Sequence, residues 1–250
     1  MIDLPCIYMI WLRDTIRYFR EKSQLYGSIA RPLLWLFILG MGLRGSFQVS
    51  GEVSYTQFIF PGIVAMAVIF TSIQSAITII WDREFGFMKE ILVAPVPRTS
   101  IIIGKCLSGT TLSLIQASVV MLLSPFVHVW IHPVNIVPLI LVVCVVSFAL
   151  TGVGVLIAAR MTSFQGFGTI MNFVIMPMWF LSGSMFPPKG LPHVLDALVR
   201  LNPLTYGVDL LRRLVLDIGY YPPVLSVVYM VAFGLVMVFL AELAFNRGEF

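Results

Sequence analysis

Few side chains in this sequence are placed to do covalent or metal chemistry. His128 and His132, in HVWIHP, stand four apart, a spacing that puts two imidazoles on one helical face where they could share a divalent cation. Pro133 breaks such a helix and a third ligand is missing, so the stronger reading is a pair of interfacial residues beside Trp130 that help to anchor a span. Ser182 and Ser184 flank Gly183, but a nucleophilic serine needs a base and an orienting acid, and no histidine-carboxylate pair accompanies them. Cys6, Cys106 and Cys144 are widely separated, match no metal or redox spacing, and read as packing residues. The phosphate loop GxxxxGK[ST] is absent, and the polar segments are too short to build a nucleotide-binding fold. The chain is expected to bind no cofactor and to catalyse no reaction of its own.

A second group is polar but neutral and lies within apolar runs: Gln74, Ser75 and Thr78, then Gln116, then Asn172. Such residues either hydrogen-bond one helix to another or line a path through the membrane. Full charges are missing from the middle of these runs, where ion-driven carriers usually keep them. Mostly apolar walls suit an amphipathic or lipid-like cargo.

The elements that must position these groups follow from composition. With 59% hydrophobic and only 11% charged residues, against about 25% charged in soluble domains, the chain reads as an integral membrane protein. Its net charge of +4 lies beside apolar segments, which points to lipid headgroups and away from nucleic acid. The expected fold is all-α, a single transmembrane domain over residues 1–250 with six spans at about 26–43, 58–81, 100–127, 134–159, 167–181 and 223–245. In the first span Arg31-Pro32 falls near the start, where a first-turn proline is tolerated. The N-terminus lacks the pattern of a cleaved signal peptide and is expected to stay on the chain.

Before the spans, IYMIWLRDTIRYFREK places Arg13, Arg17 and Arg20 on one face of an amphipathic helix, within residues 1–25, suited to the headgroup layer or to packing on protein. Between spans five and six, residues 182–221 carry leucines and valines at helical spacing on both sides of Asn202-Pro203, which predicts two short helices meeting at a break, re-entrant or lying on the outer surface. Lysine and arginine concentrate on the side of the N-terminus, which predicts that both termini are cytoplasmic.

The stretch WDREFGFMKEILVAPVPRTSIIIGK gathers much of the scarce charge between spans two and three. Asp82, Arg83 and Glu84 end a span, Gly86 permits a sharp turn, and Pro95 and Pro97 stop a short amphipathic helix that begins at Phe87. Such a stiff plug is shaped either to dock in a partner's groove or simply to cap the bundle. An ion-coupled carrier, a membrane-embedded transferase or a scaffold remain alternatives, and none of them explains the plug well.

Taken with QFIFPGIVAMAVI, LSGSMFPPKGLP and LNPLTYGVDLLR, in this order along almost the whole chain, REFGFMKEILVAPVPRTSIIIGK resembles the permease subunits of ABC-2 type transporters, in the branch of daunorubicin-resistance and nodulation exporters. One departure is Gly86-Phe87, where the family carries glycine-threonine. The resemblance implies that residues 82–98 carry a coupling helix that contacts an ATP-binding subunit through Glu84, Gly86, Phe87, Met88, Lys89, Glu90 and Leu92. It also implies an interface helix at the N-terminus, a re-entrant outer pair at 182–221, and an assembly of two permease copies, or a close relative, with two ATPases in a bacterial inner membrane. ATP and magnesium would be bound by the partner, which would power export of a drug, lipid or lipid-linked glycan. A topology reporter fused after residue 250 is expected on the cytoplasmic side; a signal from the opposite side would reverse the orientation.

Overall fold

Prolines stand in the first turn of several helices, at Pro5, Pro203 and Pro223. The computed structural model describes residues 2–42, 54–87 and 96–247, which form α-helices joined by short turns, with no strand among the described residues. In chain order these are α1 (Leu4–Arg20), α2 (Lys22–Gly42), α3 (Tyr55–Ser75), α4 (Ile77–Glu84), α5 (Arg98–Met121), α6 (Ile136–Arg160), α7 (Phe164–Phe180), α8 (His193–Leu201), α9 (Pro203–Leu216) and α10 (Pro223–Arg247). Among the described residues four stretches are long and apolar enough to cross a membrane: Tyr55–Glu84, Arg98–Met121, Pro133–Arg160 and Pro223–Phe245. They correspond to expected spans two, three, four and six. The first expected span falls on α2, whose apolar part is the shorter Tyr26–Gly40, and the fifth on α7, 17 residues long. At about 1.5 Å per residue α7 reaches roughly 25 Å, somewhat less than a hydrocarbon core of about 30 Å.

From Phe58 to Ile73 α3 is almost wholly apolar and is buried all round, as such a helix must be. It packs against α2, α5, α6, α7 and α9. At the other extreme, only 22% of the apolar window of α10 is buried, against 78% for Tyr55–Glu84, so α10 is the peripheral helix and α3 the central one.

Two local features depart from the sequence expectation. The second span is two helices, because the Ser75 hydroxyl takes the Ser72 carbonyl (2.7 Å) and the Ala76 N–H turns to Ile73 instead (3.2 Å). Glycines fill the bend: a Cβ on Gly154 would lie 2.6 Å from the Ile73 carbonyl oxygen, and one on Gly109 would lie 2.4 Å from the Ser75 hydroxyl. Close approach of helix backbones needs such small residues. Pro32, expected in a first turn, lies inside α2. It has no N–H for the Ser28 carbonyl one turn earlier, and Gln116 of α5 donates its side-chain amide to that carbonyl instead (2.8 Å).

The segment after α7 holds two short helices that meet at Asn202, which accepts from the Leu204 N–H (3.1 Å) and donates to the Met178 carbonyl (2.6 Å). α8 is largely exposed, whereas α9 is buried on nearly every side against α3, α6 and α10. Arg212 of α9 donates to the carbonyl of Gly183, a residue in the left-handed region (φ +70°), and lies over the Phe58 ring of α3 (4.2 Å). Asp209 accepts the Tyr220 and Tyr221 N–H groups, closing the turn that follows α9.

Because backbone and not a flexible side chain opposes it, Gly154→Leu is expected to cost about 1–3 kcal/mol and to lower the thermal midpoint in detergent. Gly168→Leu, where a Cβ meets nothing within 4 Å, is expected to change it little.

Candidate functional site: an ion cluster at the root of the 84–98 loop

α1 begins at Asp3, whose carboxylate accepts the Cys6 N–H (3.2 Å), and buries a stripe made of Ile7, Ile10, Asp14 and Tyr18. A carboxylate in an apolar stripe must find cations, and Asp14 finds two. Lys105 of α5 reaches Asp14 (2.8 Å) and Asp82 of α4 (2.9 Å), and donates to the Thr78 hydroxyl (2.9 Å). Arg13 binds Asp14 (3.0 Å) and Asp82 (2.5 Å), and Arg17, one turn on, lies 3.7 Å from Asp82. The side chains of Asp14 and Lys105 are 2% exposed and that of Asp82 is 4% exposed, so water screens these contacts weakly. Burial pushes the Asp14 carboxyl up, but Lys105 and Arg13 outweigh it and hold the group below the usual carboxylate range. Burial likewise lowers Arg13, and the two aspartates more than reverse that.

The cluster joins α1, α4 and α5 where the 84–98 loop leaves α4 and enters α5. The neighbouring arginines extend the junction. Arg83, next to Asp82, donates to the Met161 (2.5 Å) and Ala159 (3.1 Å) carbonyls at the end of α6. Arg98, first residue of α5, donates to the Phe245 carbonyl near the end of α10 (2.6 Å). Each thereby satisfies carbonyls that a helix end leaves without intrahelical partners. Arg17 stacks on Trp81 (4.0 Å), which meets Phe164 at the start of α7 edge-on (5.7 Å), and Arg13 covers the Phe87 ring (4.8 Å).

Of the contact residues named from the sequence, Glu84, Gly86 and Phe87 stand exposed at the end of α4. Gly86 has φ +77°, the left-handed turn for which glycine is suited, and its N–H bonds the Arg83 carbonyl (3.2 Å). Met88, Lys89, Glu90 and Leu92 lie outside the described residues.

Of the neutral polar residues, Gln74, Ser75 and Thr78 line a single cavity of about 370 Å³ between α1, α2, α3–α4 and α5. Gln116 sits beside it and is engaged with Ser28 through both ends of its amide. Asn172 is exposed on α7 and is not part of that wall. His128 and His132 do not share a helical face: His128 is in the left-handed region after a 3-10 turn, and His132 starts the next one by accepting the Val134 N–H. Ser182 and Ser184 are buried and bond each other.

The ionic partnership itself went unread in the sequence, where Arg13, Arg17, Asp82, Arg83 and Lys105 counted only as interfacial charge. Two signals were present. Asp14 falls in the apolar stripe of α1, and Lys105 is flanked by Ile101, Ile102 and Cys106, all buried.

Lys105→Met removes the cation shared by two buried carboxylates and is expected to cost about 3–5 kcal/mol, part of which returns when Asp14→Leu is added. Because the Asp14 carboxyl is depressed, its contribution is complete above the ordinary carboxylate value of about 4 and is lost only as pH falls through the lower folded value. Protection of α1 from proteolysis is therefore expected to be level from about pH 8 to pH 5.

Comparison with known proteins agrees with this architecture. The profile of the ABC-2 type transporter family matches residues 5–216. The chain is 30% identical to the inner membrane transport permease YadH of Escherichia coli K12 over 238 residues, 91% of each chain. It is 28% identical to nodulation protein J of Rhizobium leguminosarum bv. trifolii over 212 residues, 83% of this chain and 80% of the relative. With ycf38 of Cyanophora paradoxa it shares 29% identity over 212 residues, 83% of this chain and 73% of the relative. Helical throughout its described residues, with four stretches among them long and apolar enough to cross a membrane, and matched by the family's profile from α1 to the end of α9, the chain is a multi-pass transport permease that belongs to the ABC-2 type transporter family.

Proposed function

We propose that this chain is the permease subunit of an ATP-binding cassette exporter that moves a hydrophobic or amphipathic molecule across the inner membrane without altering it. The observation that carries the reading is the buried Asp14–Lys105–Asp82 cluster, which ties an amphipathic helix to both flanks of the loop between α4 and α5. A loop that only capped the bundle would need no such anchorage. One that receives force needs it.

In this reading the 82–98 loop carries the coupling helix, and Glu84, Gly86 and Phe87, together with Met88, Lys89, Glu90 and Leu92, meet the ATPase. The ATPase binds ATP and Mg²⁺, and closure of an ATPase pair pulls the loop. Its differential affinity for one arrangement of the permease shifts the equilibrium between inward-open and outward-open forms. The fixed links carry that pull into α1 through Asp82, into α6 through Arg83 and into α10 through Arg98. α2 and α7 complete six spans, both termini face the cytoplasm, and α8–α9 form the outer re-entrant pair, with α9 covered by protein on nearly every side. Two permease copies, or this chain and a close relative, enclose the path with two ATPases below. Support comes from the family match and from YadH, whose name places that relative in the inner membrane.

The test is co-purification with an ATP-binding cassette ATPase followed by substrate-stimulated hydrolysis in liposomes. Glu84→Arg is expected to insert normally and to lower the stimulated rate several-fold while the basal rate stays. Transport by the purified chain with no nucleotide-hydrolysing companion would overturn the proposal.

A further inference from the structure

The helices that border this bundle present two kinds of surface. On α10 every exposed residue from Val224 to Leu243 is Val, Leu, Ala or Phe, the composition that a lipid-facing helix needs. Its polar groups are turned inward: Ser226 is buried and donates to the Pro222 carbonyl, and Glu242 accepts from Thr99 of α5. α7 is built the other way. It packs against α3 and α4 and buries Phe167, Met171, Ile175 and Trp179, while Gln165, Thr169 and Asn172 stand exposed at i, i+4 and i+7. At about 100° per residue these three lie within about 60° of one another, on a single stripe.

Polar side chains on a membrane helix turn toward protein or water, not hydrocarbon. Two members of the stripe are easily accommodated, because Gln165 lies in the first turn and the Thr169 hydroxyl returns to the Gln165 carbonyl (3.0 Å). Asn172 is not. It is the ninth of the 17 residues of α7, half-way along the helix, and its side chain makes no hydrogen bond to any described residue. An amide carries two donors and an acceptor, and lipid tails satisfy none of them. Something polar must cover this face.

The chemistry of the cover follows from α7 itself, which contains no Asp, Glu, Lys, Arg or His. In a two-fold contact each residue near the axis meets its own twin, so a charge there would repel itself, whereas an asparagine, donor and acceptor at once, complements itself. Phe173, 78% exposed, and Phe180 stand beside the stripe and add apolar surface for packing. We propose that α7 is the face by which two copies of this chain pair, with the Asn172 amide hydrogen-bonded to the partner's Asn172 near the two-fold axis. The proposal rests on the preceding reading for α7 as a membrane span. Of the two assemblies left open there it selects two identical chains; pairing itself requires neither nucleotide nor ATPase.

The test is cysteine cross-linking of the full chain, expressed alone in membranes and carrying Cys6→Ala, Cys106→Ala and Cys144→Ala. Under a mild oxidant Asn172→Cys and Thr169→Cys are expected to give a covalent dimer, and Leu235→Cys on α10 to give none. A second arm keeps the natural cysteines and follows dissociation by sedimentation in detergent. There Asn172→Leu is expected to weaken the dimer about tenfold, the scale of one or two interhelical amide bonds, with Asn172→Gln retaining most of the affinity and the thermal midpoint of the monomer unchanged. Cross-linking through Leu235→Cys with none on α7, or an Asn172→Leu chain that pairs as the parent does, would overturn the proposal. So would labelling of Asn172→Cys by a membrane-impermeant maleimide without any cross-link, which would set the stripe on a watery path. A covalent dimer that stimulates no ATPase would uphold the pairing and count against the export reading alone.

Discussion

Everything at the loop end of this molecule depends on Lys105 being charged and enclosed by two carboxylates. An ammonium taken from water into a protein interior loses several kcal/mol of hydration, and only close, well-oriented anions return it. Asp14 and Asp82 come from different helices, so the ammonium is satisfied only when α1, α4 and α5 stand in one arrangement. The apolar surfaces of these helices would tolerate many relative positions, because lipid tails are as apolar as leucine. The charges do not. Specific placement of an amphipathic helix against a membrane bundle is thus an electrostatic achievement more than a hydrophobic one.

The packing behind that junction follows a different rule. α3 runs through the centre and bends where the Ser75 hydroxyl takes the Ser72 carbonyl. Gly109 and Gly154 make room at that bend, and Thr78, a turn beyond it, already belongs to the ion cluster. The bend therefore lies between the closely packed upper part of α3 and the charged end of α4. Arg83 and Arg98 spread the connection to two further helices by satisfying their terminal carbonyls.

How much of this the sequence disclosed varies by feature. Apolar runs and proline or glycine breaks marked the helices, and Asn202-Pro203 marked the joint between α8 and α9, because those signals are local. Gly86 was recognisable as a turn for the same reason, and its positive φ agrees. Pro32 was misplaced into a first turn because the glutamine that compensates for it stands 84 positions away, as Gln116. The bend within the second span was missed because Ser75 has two options, to bond a neighbouring helix or its own backbone, and periodicity does not distinguish them. The ion cluster was hidden for a similar reason: Asp14, Asp82 and Lys105 are separated by tens of residues, and each alone resembles an ordinary interfacial charge. The cavity draws on α1, α2, α3–α4 and α5, and no single segment displays more than one wall.

The exchange between Pro32 and Gln116 limits how this bundle can move. If α2 slid along α5 by one helical turn, both bonds between Gln116 and Ser28 would break, including the amide donated to the Ser28 carbonyl that Pro32 cannot serve. Rocking of the two helices as a single piece keeps that bond, whereas ratcheting one past the other breaks it. A proline that looks like a weak point in one helix thus acts as a register pin between two.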